Sequence, residues 1–185
     1  MSDIIQLLDI QKFAVVDVET TGGSAQTNKI IEIAVLITDG TQILEEFQTL
    51  VNPEREIPEF ISNLTQIDNS MVKNAPVFSE IAPKLYEMLG STCFVAHNAA
   101  FDYSFVKKEF YEAGYYFNTM KFCTIKIGRK FIKLPSYRLD NLSQYFGIEI
   151  PNRHRAYGDA LATTYIFHEF LKMIRRKFNE QHQLF

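Results

Sequence analysis

Asp17 and Glu19 stand two residues apart at the end of an apolar run. An extended strand has a side-chain period of two, so both carboxylates leave on the same face. Two acids aimed together repel unless a cation lies between them, and hard divalent cations such as Mg²⁺ take oxygen ligands. Two later motifs add to the set. His97-Asn98-Ala99-Ala100-Phe101-Asp102 supplies a third carboxylate, and His154-Arg155-Ala156-Tyr157-Gly158-Asp159-Ala160 supplies a fourth together with a histidine. Four carboxylates and one imidazole suit a site for two divalent ions beside a base that activates water. A neutral histidine accepts a proton near neutral pH, and a metal-bound water needs that help less than bulk water does. Arg153 and Arg155 flank His154. Both disfavour a charged imidazole, which keeps it available as a base, and both are also candidates for phosphate contacts.

Each feature has an ordinary explanation when taken singly. An Asp-x-Glu at a strand end is usually solvated. The helix dipole favours an acid such as Asp102 in a first turn. Gly22 and Gly23 make a plain turn, although glycine also lets backbone N–H groups approach a ligand closely. Phe101 reads as core, with base stacking as the alternative. What raises these residues above the ordinary is that the three segments occur together.

The elements that must carry these residues are legible from periodicity. Phe13 to Val18 is a nearly continuous apolar run and reads as a buried central strand. Ile30 to Thr38 and Ile43 to Val51 are joined by Asp39-Gly40-Thr41-Gln42, a hairpin signal, so they pair antiparallel with the first beside strand one. Glu54 to Pro76 is a long connection with one or two helical turns. Phe78 to Leu89 has helical spacing, and Thr92 to Ala96 reads as a fourth strand. Asn98 is the expected cap of a helix that runs through Ala113 and stops at Gly114. A fifth strand falls within Tyr115 to Phe122, and helices over Thr124 to Ile132 and Leu139 to Phe146 follow. A loop, Pro151 to Arg155, precedes a long helix, Ala156 to Lys177, with Leu161, Tyr165, Phe167 or His168, and Met173 near its buried stripe. The order predicts an α/β fold, a mixed sheet flanked by helices with its first three strands antiparallel.

At this point the sequence resembles a known family. The three motifs match, in order and spacing, those of the DEDDh group of 3′–5′ exonucleases, which includes the proofreading epsilon subunit of bacterial DNA polymerase III. The resemblance runs from Phe13 to about Phe170. It implies a ribonuclease-H-like fold. It also implies that Asp17, Glu19, Asp102 and Asp159 are metal-site carboxylates and His154 the general base. The sister subgroup carries a tyrosine four residues before the last Asp; that position is Arg155 here and His154 stands one earlier, so the histidine subgroup is the match. The implied cofactors are two Mg²⁺ or Mn²⁺ ions that clamp the scissile phosphate while His154 takes a proton from the attacking water. The resemblance further implies that Thr20, Thr21 and Gly22 seat the terminal nucleotide, with Phe101 close to it. The expected reaction releases nucleoside monophosphates from single-stranded DNA ends, in proofreading for a replicative polymerase. An RNA-trimming exonuclease and a non-catalytic nucleic-acid-binding module are the competing readings.

Bulk properties fit this picture. The chain has 185 residues, of which 46% are apolar, an ordinary share for a domain with its own core. The reading is one domain over 1–178 and a short tail over 179–185. Gln181-His182-Gln183-Leu184-Phe185 resembles the Q-x-x-L-F peptide by which bacterial replication proteins dock on the sliding clamp. An extended tail with a Leu-Phe anchor would fill an apolar groove. The net charge is −3, but clustered acids spend negative charge locally, so distribution matters more than the sum. Basic residues gather in the second half (Lys121, Lys126, Arg129, Lys130, Lys133, Arg138, Arg153 and Arg155) and are candidates for phosphate contacts. Met1 to Gln11 does not read as a secretory signal. No apolar run approaches the roughly 20 residues of a membrane span. Cys93 and Cys123 are expected as reduced thiols and the cytoplasm as the compartment.

Overall fold

The apolar run that opens the chain becomes the middle of a sheet. The computed structural model describes residues 6–182. Its strands are β1 (Phe13–Thr20), β2 (Ile30–Thr38), β3 (Ile43–Leu50), β4 (Cys93–Ala96) and β5 (Lys121–Cys123). Its helices are α1 (Glu59–Thr65), α2 (Asn69–Val72), α3 (Phe78–Gly90), α4 (Ala99–Glu112), α5 (Thr124–Phe131), α6 (Leu139–Phe146) and α7 (Ala156–His182). The strands lie in the order β3-β2-β1-β4-β5. β1, β2 and β3 pair antiparallel, whereas β4 and β5 run parallel to β1. This is the mixed, helix-flanked sheet that the sequence predicts.

The β2–β3 hairpin closes as expected. Gly40 takes a left-handed φ of 84°. The Asp39 carboxylate accepts from the backbone N–H groups of Thr41 and Gln42 at 2.8 and 3.0 Å, an Asx turn that holds the bend. β2 is buried along its whole length. No residue of β3 is fully buried, and the strand carries the exposed Glu45 and Glu46, charges that suit an open sheet edge.

β1 is buried on both faces, and the two faces serve different cores. Ala14, Val16 and Val18 pack with Phe105, Val106 and Phe110 of α4. Phe13 and Val15 pack with Ile166, Phe167 and Phe170 of α7. α7 therefore covers the face on which odd-numbered β1 residues project, and α4 covers the other. On β2, Ala34 and Leu36 meet Ala156 and Ala160 of α7; the small alanines let the helix lie close to the sheet.

Four sequence expectations need correction. The buried stripe of α7 is Ile166, Phe167, Phe170, Leu171 and Ile174, while Tyr165 is exposed; at about 100° per residue, a one-position error in phase moves a side chain off the stripe. The helix continues to His182 rather than ending at Lys177. Asn98 stands before α4 in a left-handed conformation (φ 69°, ψ 48°) and makes no side-chain cap bond; it serves as a residue that tolerates the turn. The fifth strand is shorter than expected and begins at Lys121. The preceding chain is held otherwise: the Tyr103 hydroxyl accepts from the Thr119 N–H at 3.1 Å. The side chain of Gln181, together with Leu184 and Phe185, lies outside the described residues. Cys93 and Cys123 are free thiols. Among the described residues no helix is long and apolar enough to cross a membrane.

Candidate active site

β1 outruns its parallel neighbour. The β1–β4 pairing stops at Val15 and Val95, yet β1 continues to Thr20. The Val18 N–H is therefore left without a partner on β4, and the Asp102 carboxylate accepts it at 3.3 Å. The gap opens beyond the carboxyl ends of both strands, where open α/β sheets commonly bind ligands. Asp17 and Glu19 enter it from the α7 face of β1. Asp159 enters from the first turn of α7.

Asp17, Glu19 and Asp159 each offer a carboxylate oxygen, and these oxygens all lie within 4.8 Å of one another. One Asp159 oxygen, Oδ1, is buried with no hydrogen-bond partner. A buried carboxylate oxygen without a donor is costly in a folded protein, and a cation is the natural partner for it. The donor set is hard oxygen, which fits Mg²⁺ or Mn²⁺. Asp102 reaches the trio from the opposite face, on α4, and of the neighbouring charges it bears most on Asp17. Its own burial is nearly complete, at 3% exposure.

The electrostatics record the crowding. Burial, followed by repulsion from Asp102, Asp159 and Glu19, holds Asp17 well above the usual carboxylate range. Burial, with Asp159 and Glu32 next, pushes Glu19 up to about 8. Burial raises Asp102 to about 8 against the pull of its own and Val18's N–H groups. Asp159 is raised less, to about 6, because Arg153 and the His154 backbone draw it down. Burial and mutual repulsion disfavour the charged form of all four acids, a deficit of positive charge at the site that cations would relieve.

Arg153 answers part of that deficit: its guanidinium bridges Asp159 and Asp140. His154, in a left-handed conformation (φ 62°), contacts Arg153 through Nδ1 at 3.4 Å. Burial first and Arg153 second lower its pKa, so the ring is neutral at physiological pH. Arg155 takes no part in that lowering. It turns away to bind Glu32 with two hydrogen bonds, which corrects its reading as a base-tuning or phosphate-contacting residue.

The other sequence candidates follow Glu19 at the end of β1 or stand in the first turn of α4, and none of them lines the cleft that holds Asp17 and Asp159. Thr20 donates to the Gly22 carbonyl at 2.8 Å. Thr21 is buried, donates to Asn28 Oδ1 at 3.2 Å and accepts from the Lys29 N–H at 3.1 Å. A Cβ on Gly22 would sit 2.5 Å from Asn28 Oδ1, so a larger residue there would have to displace the Asn28 side chain that Thr21 bonds. Phe101 is half-buried and leans on Phe105, with centroids 4.9 Å apart.

Of the basic residues that the sequence offers for phosphate contacts, Arg129, Arg138 and Arg153 are brought to this site, whereas the buried Glu32 that holds Arg155 is a residue that sequence reasoning missed. A cleft of about 420 Å³ contains Asp17 and Asp159 and is rimmed by His97, Arg129, Arg138 and Arg153. His97 bonds the Thr124 hydroxyl through Nδ1 at 2.9 Å, and burial lowers it to about 4. It is a neutral strut between β4 and α5. The arginines give an acidic floor a cationic rim, a pattern suited to a phosphodiester.

Comparison with known proteins decides the family. The exonuclease (RNase T) family profile matches residues 14–167, most of the chain. The chain belongs to the exonuclease family. It is 39% identical over 165 residues to the PolC-type DNA polymerase III of Caldanaerobacter subterraneus subsp. tengcongensis, a match that covers 89% of this chain and 12% of the polymerase. It is also 39% identical over 169 residues to the 3′-5′ exonuclease DinG of Bacillus subtilis, covering 90% of this chain and 18% of that protein. The chain thus corresponds to a small part of these relatives. Among solved structures, Exonuclease X in complex with 5′ overhanging duplex DNA superposes with a TM-score of 0.72 at 26% identity, covering 87% of this chain and 92% of that one. The zinc-bound E. coli ExoI–ssDNA complex superposes with a TM-score of 0.81 at 20% identity, covering 94% and 43%, a likeness of fold.

Proposed function

We propose that this chain is a metal-dependent 3′–5′ exonuclease that releases nucleoside monophosphates from single-stranded DNA ends. The observation that carries the reading is the convergence of Asp17, Glu19 and Asp159 on a point within 4.8 Å, with one Asp159 oxygen buried and unpartnered. Asp17, Glu19 and Asp159 would hold divalent ions, with Asp102 completing the set from the opposite face. Bound there, the ions supply Lewis-acid charge at the phosphate and lower the pKa of water. His154 accepts the proton of the attacking water. Thr20, Thr21 and Gly22 form the wall that seats the terminal nucleotide, and Phe101 closes its far side. Arg129 and Arg138 meet phosphate charge at the rim.

The likeness to a segment of a replicative polymerase supports editing of a primer end as the setting. The tail residues Gln181, Leu184 and Phe185 support docking on a sliding clamp, a contact that Leu184→Ala and Phe185→Ala should abolish in surface plasmon resonance.

The test of the activity uses strands labelled at either end, incubated with Mn²⁺. Wild type should release mononucleotides from the 3′ end, and Asp17→Asn should lose the activity by about 10³-fold or more, the scale on which removing a key electrostatic group acts. Equal degradation by both proteins would end the reading. Running RNA and a mismatched primer in parallel separates DNA editing from RNA trimming.

A further inference from the structure

Beside the catalytic cleft lies a second concavity, of about 270 Å³, walled by Lys121, Phe122, Lys126, Ile127 and Lys130. Asn98 lines both this cavity and the cleft that holds Asp17 and Asp159, so the two are contiguous. Helix α5 joins them. Ile125 and Arg129, one turn apart, line the catalytic cleft, while Lys126 and Lys130, also one turn apart, line the cavity. Thr124, Ile127 and Gly128 fix the helix by their burial. One rigid helix thus presents a cationic edge that runs out of the active site.

The lysines are not consumed by internal pairing. Among the described residues, Lys121, Lys126 and Lys130 have no carboxylate within ion-pair reach, while five other basic side chains do. Lys121 rests its ammonium 4.0 Å from the centre of the Tyr103 ring, which orders it without neutralising it. Three unpaired ammonium groups around one hollow repel each other, and they do so in a chain of net charge −3. Such an arrangement is stabilised by an anion. Phe122 and Ile127 give the same hollow apolar walls, against which a sugar or base can rest. The combination is that of a groove tracking a polynucleotide backbone.

We propose that this cavity binds a backbone phosphate of the strand being degraded, on the 5′ side of the scissile bond, with Lys126 and Lys130 as its principal contacts and Lys121 at its edge. The proposal rests on the exonuclease reading. It makes α5 the element that lets the enzyme distinguish a polymer from a single nucleotide ester: Arg129 faces the reacting phosphate while Lys126 and Lys130 hold the chain behind it.

The test compares wild type with the Lys126→Glu, Lys130→Glu double variant; both side chains are exposed and outside the catalytic set. Three readouts are taken: kcat/KM on a single-stranded oligothymidylate at several salt concentrations, kcat/KM on the p-nitrophenyl ester of thymidine 5′-monophosphate, and oligothymidylate affinity by fluorescence anisotropy in Ca²⁺. The variant should lose about tenfold or more in affinity and in kcat/KM on the oligomer, through KM. Its salt slope should be shallower by about 0.7, the contribution of one neutralised single-strand phosphate. Hydrolysis of the ester should be unchanged. Unchanged oligomer affinity and salt slope would overturn the proposal, as would an equal loss on the ester. A wild type that hydrolyses neither substrate, yet binds the oligomer through these lysines, would remove the exonuclease reading and leave the groove standing.

Discussion

Arg155 and Glu32 are locked together by two hydrogen bonds, Nε to Oε2 at 3.0 Å and Nη2 to Oε1 at 2.7 Å, and Glu32 has no exposure to solvent. The same carboxylate accepts the Ala156 N–H at 2.9 Å and Gln48 Nε2 at 3.2 Å. Glu32 therefore ties β2 to the residue that opens α7, three positions before Asp159. It also sits opposite Glu19 in the β1–β2 register. Like charges facing across a ladder repel, and the bidentate arginine answers one of the two.

Replacing this carboxylate should loosen the start of α7. Glu32→Gln keeps the shape but sets an amide NH₂ against the arginine's donors. The expected cost is about 1–3 kcal/mol, the penalty for leaving buried hydrogen-bonding groups unmatched, with a fall in kcat as Asp159 loses its fixed position. Glu45→Gln, on the exposed edge strand, is the control and should leave Tm unchanged. A Tm for Glu32→Gln equal to wild type would show that the clamp is not structural.

The raised carboxylates make metal-free stability depend on pH with a definite sign. Glu19 has an ordinary value of 4.5 and stands near 8 in the fold. Below 4.5 it is protonated whether the chain is folded or not. Between 4.5 and 8 the folded protein binds more protons than the unfolded chain, so stability falls as pH rises through this window. Asp17, Asp102 and Asp159 are shifted in the same direction. Glu19→Gln removes one such group. In EDTA it should be more stable than wild type by on the order of 1–3 kcal/mol at pH 8, and by little at pH 5. Millimolar Mn²⁺ should raise the wild-type Tm, and more at pH 8 than at pH 5, because bound protons compete with the ion. Denaturant titrations at both pH values read the difference, and a stability gap independent of pH would sink the account.

The histidine test must separate chemistry from backbone shape. His154 has a positive φ, a conformation that asparagine also tolerates. His154→Asn should therefore fold with an unaltered Tm and lose about 10²-fold or more in kcat, the usual contribution of a general base. Retention of kcat within a few-fold would remove His154 from that role.

How much of this was legible beforehand follows from what each residue's signal depends on. The strand order came through because β1 is an apolar run and Asp39-Gly40 is a local turn code. Asp17 and Glu19 came through because strand periodicity alone puts them on one face. The approach of Asp102 from the face opposite Asp17, Glu19 and Asp159 did not, since it depends on which side of the sheet α4 covers. The direction of Arg155 did not come through either, whether toward His154 or toward phosphate, because sequence gives no direction to a long side chain; its partner is 123 positions away. Glu32 did carry a signal: it is a lone charge within Ile30-Ile31-Glu32-Ile33-Ala34-Val35-Leu36, a stretch otherwise wholly apolar. A single acid in such a strand has to be buried, and a buried acid has to be paired.

Gly158 is a second residue whose role only three dimensions reveal. A Cβ at this position would lie 1.6 Å from the Pro151 carbonyl oxygen and 3.1 Å from that of Asn152. The loop that carries Arg153 and His154 is thus laid directly on the first turn of α7, beside Asp159, and glycine is what permits the contact. On helix propensity alone Gly158→Ala should stabilise, by up to about 1 kcal/mol. The close approach predicts the opposite, because backbone rather than a flexible side chain must give way. The expected outcome is a loss of about 1–3 kcal/mol, as for an overpacked core, and a drop in kcat that exceeds any change in KM, since the displaced loop holds the proposed base. The sign is the discriminating result: a Gly158→Ala protein with a higher Tm and full activity would mean that the loop rests on α7 without being positioned by it.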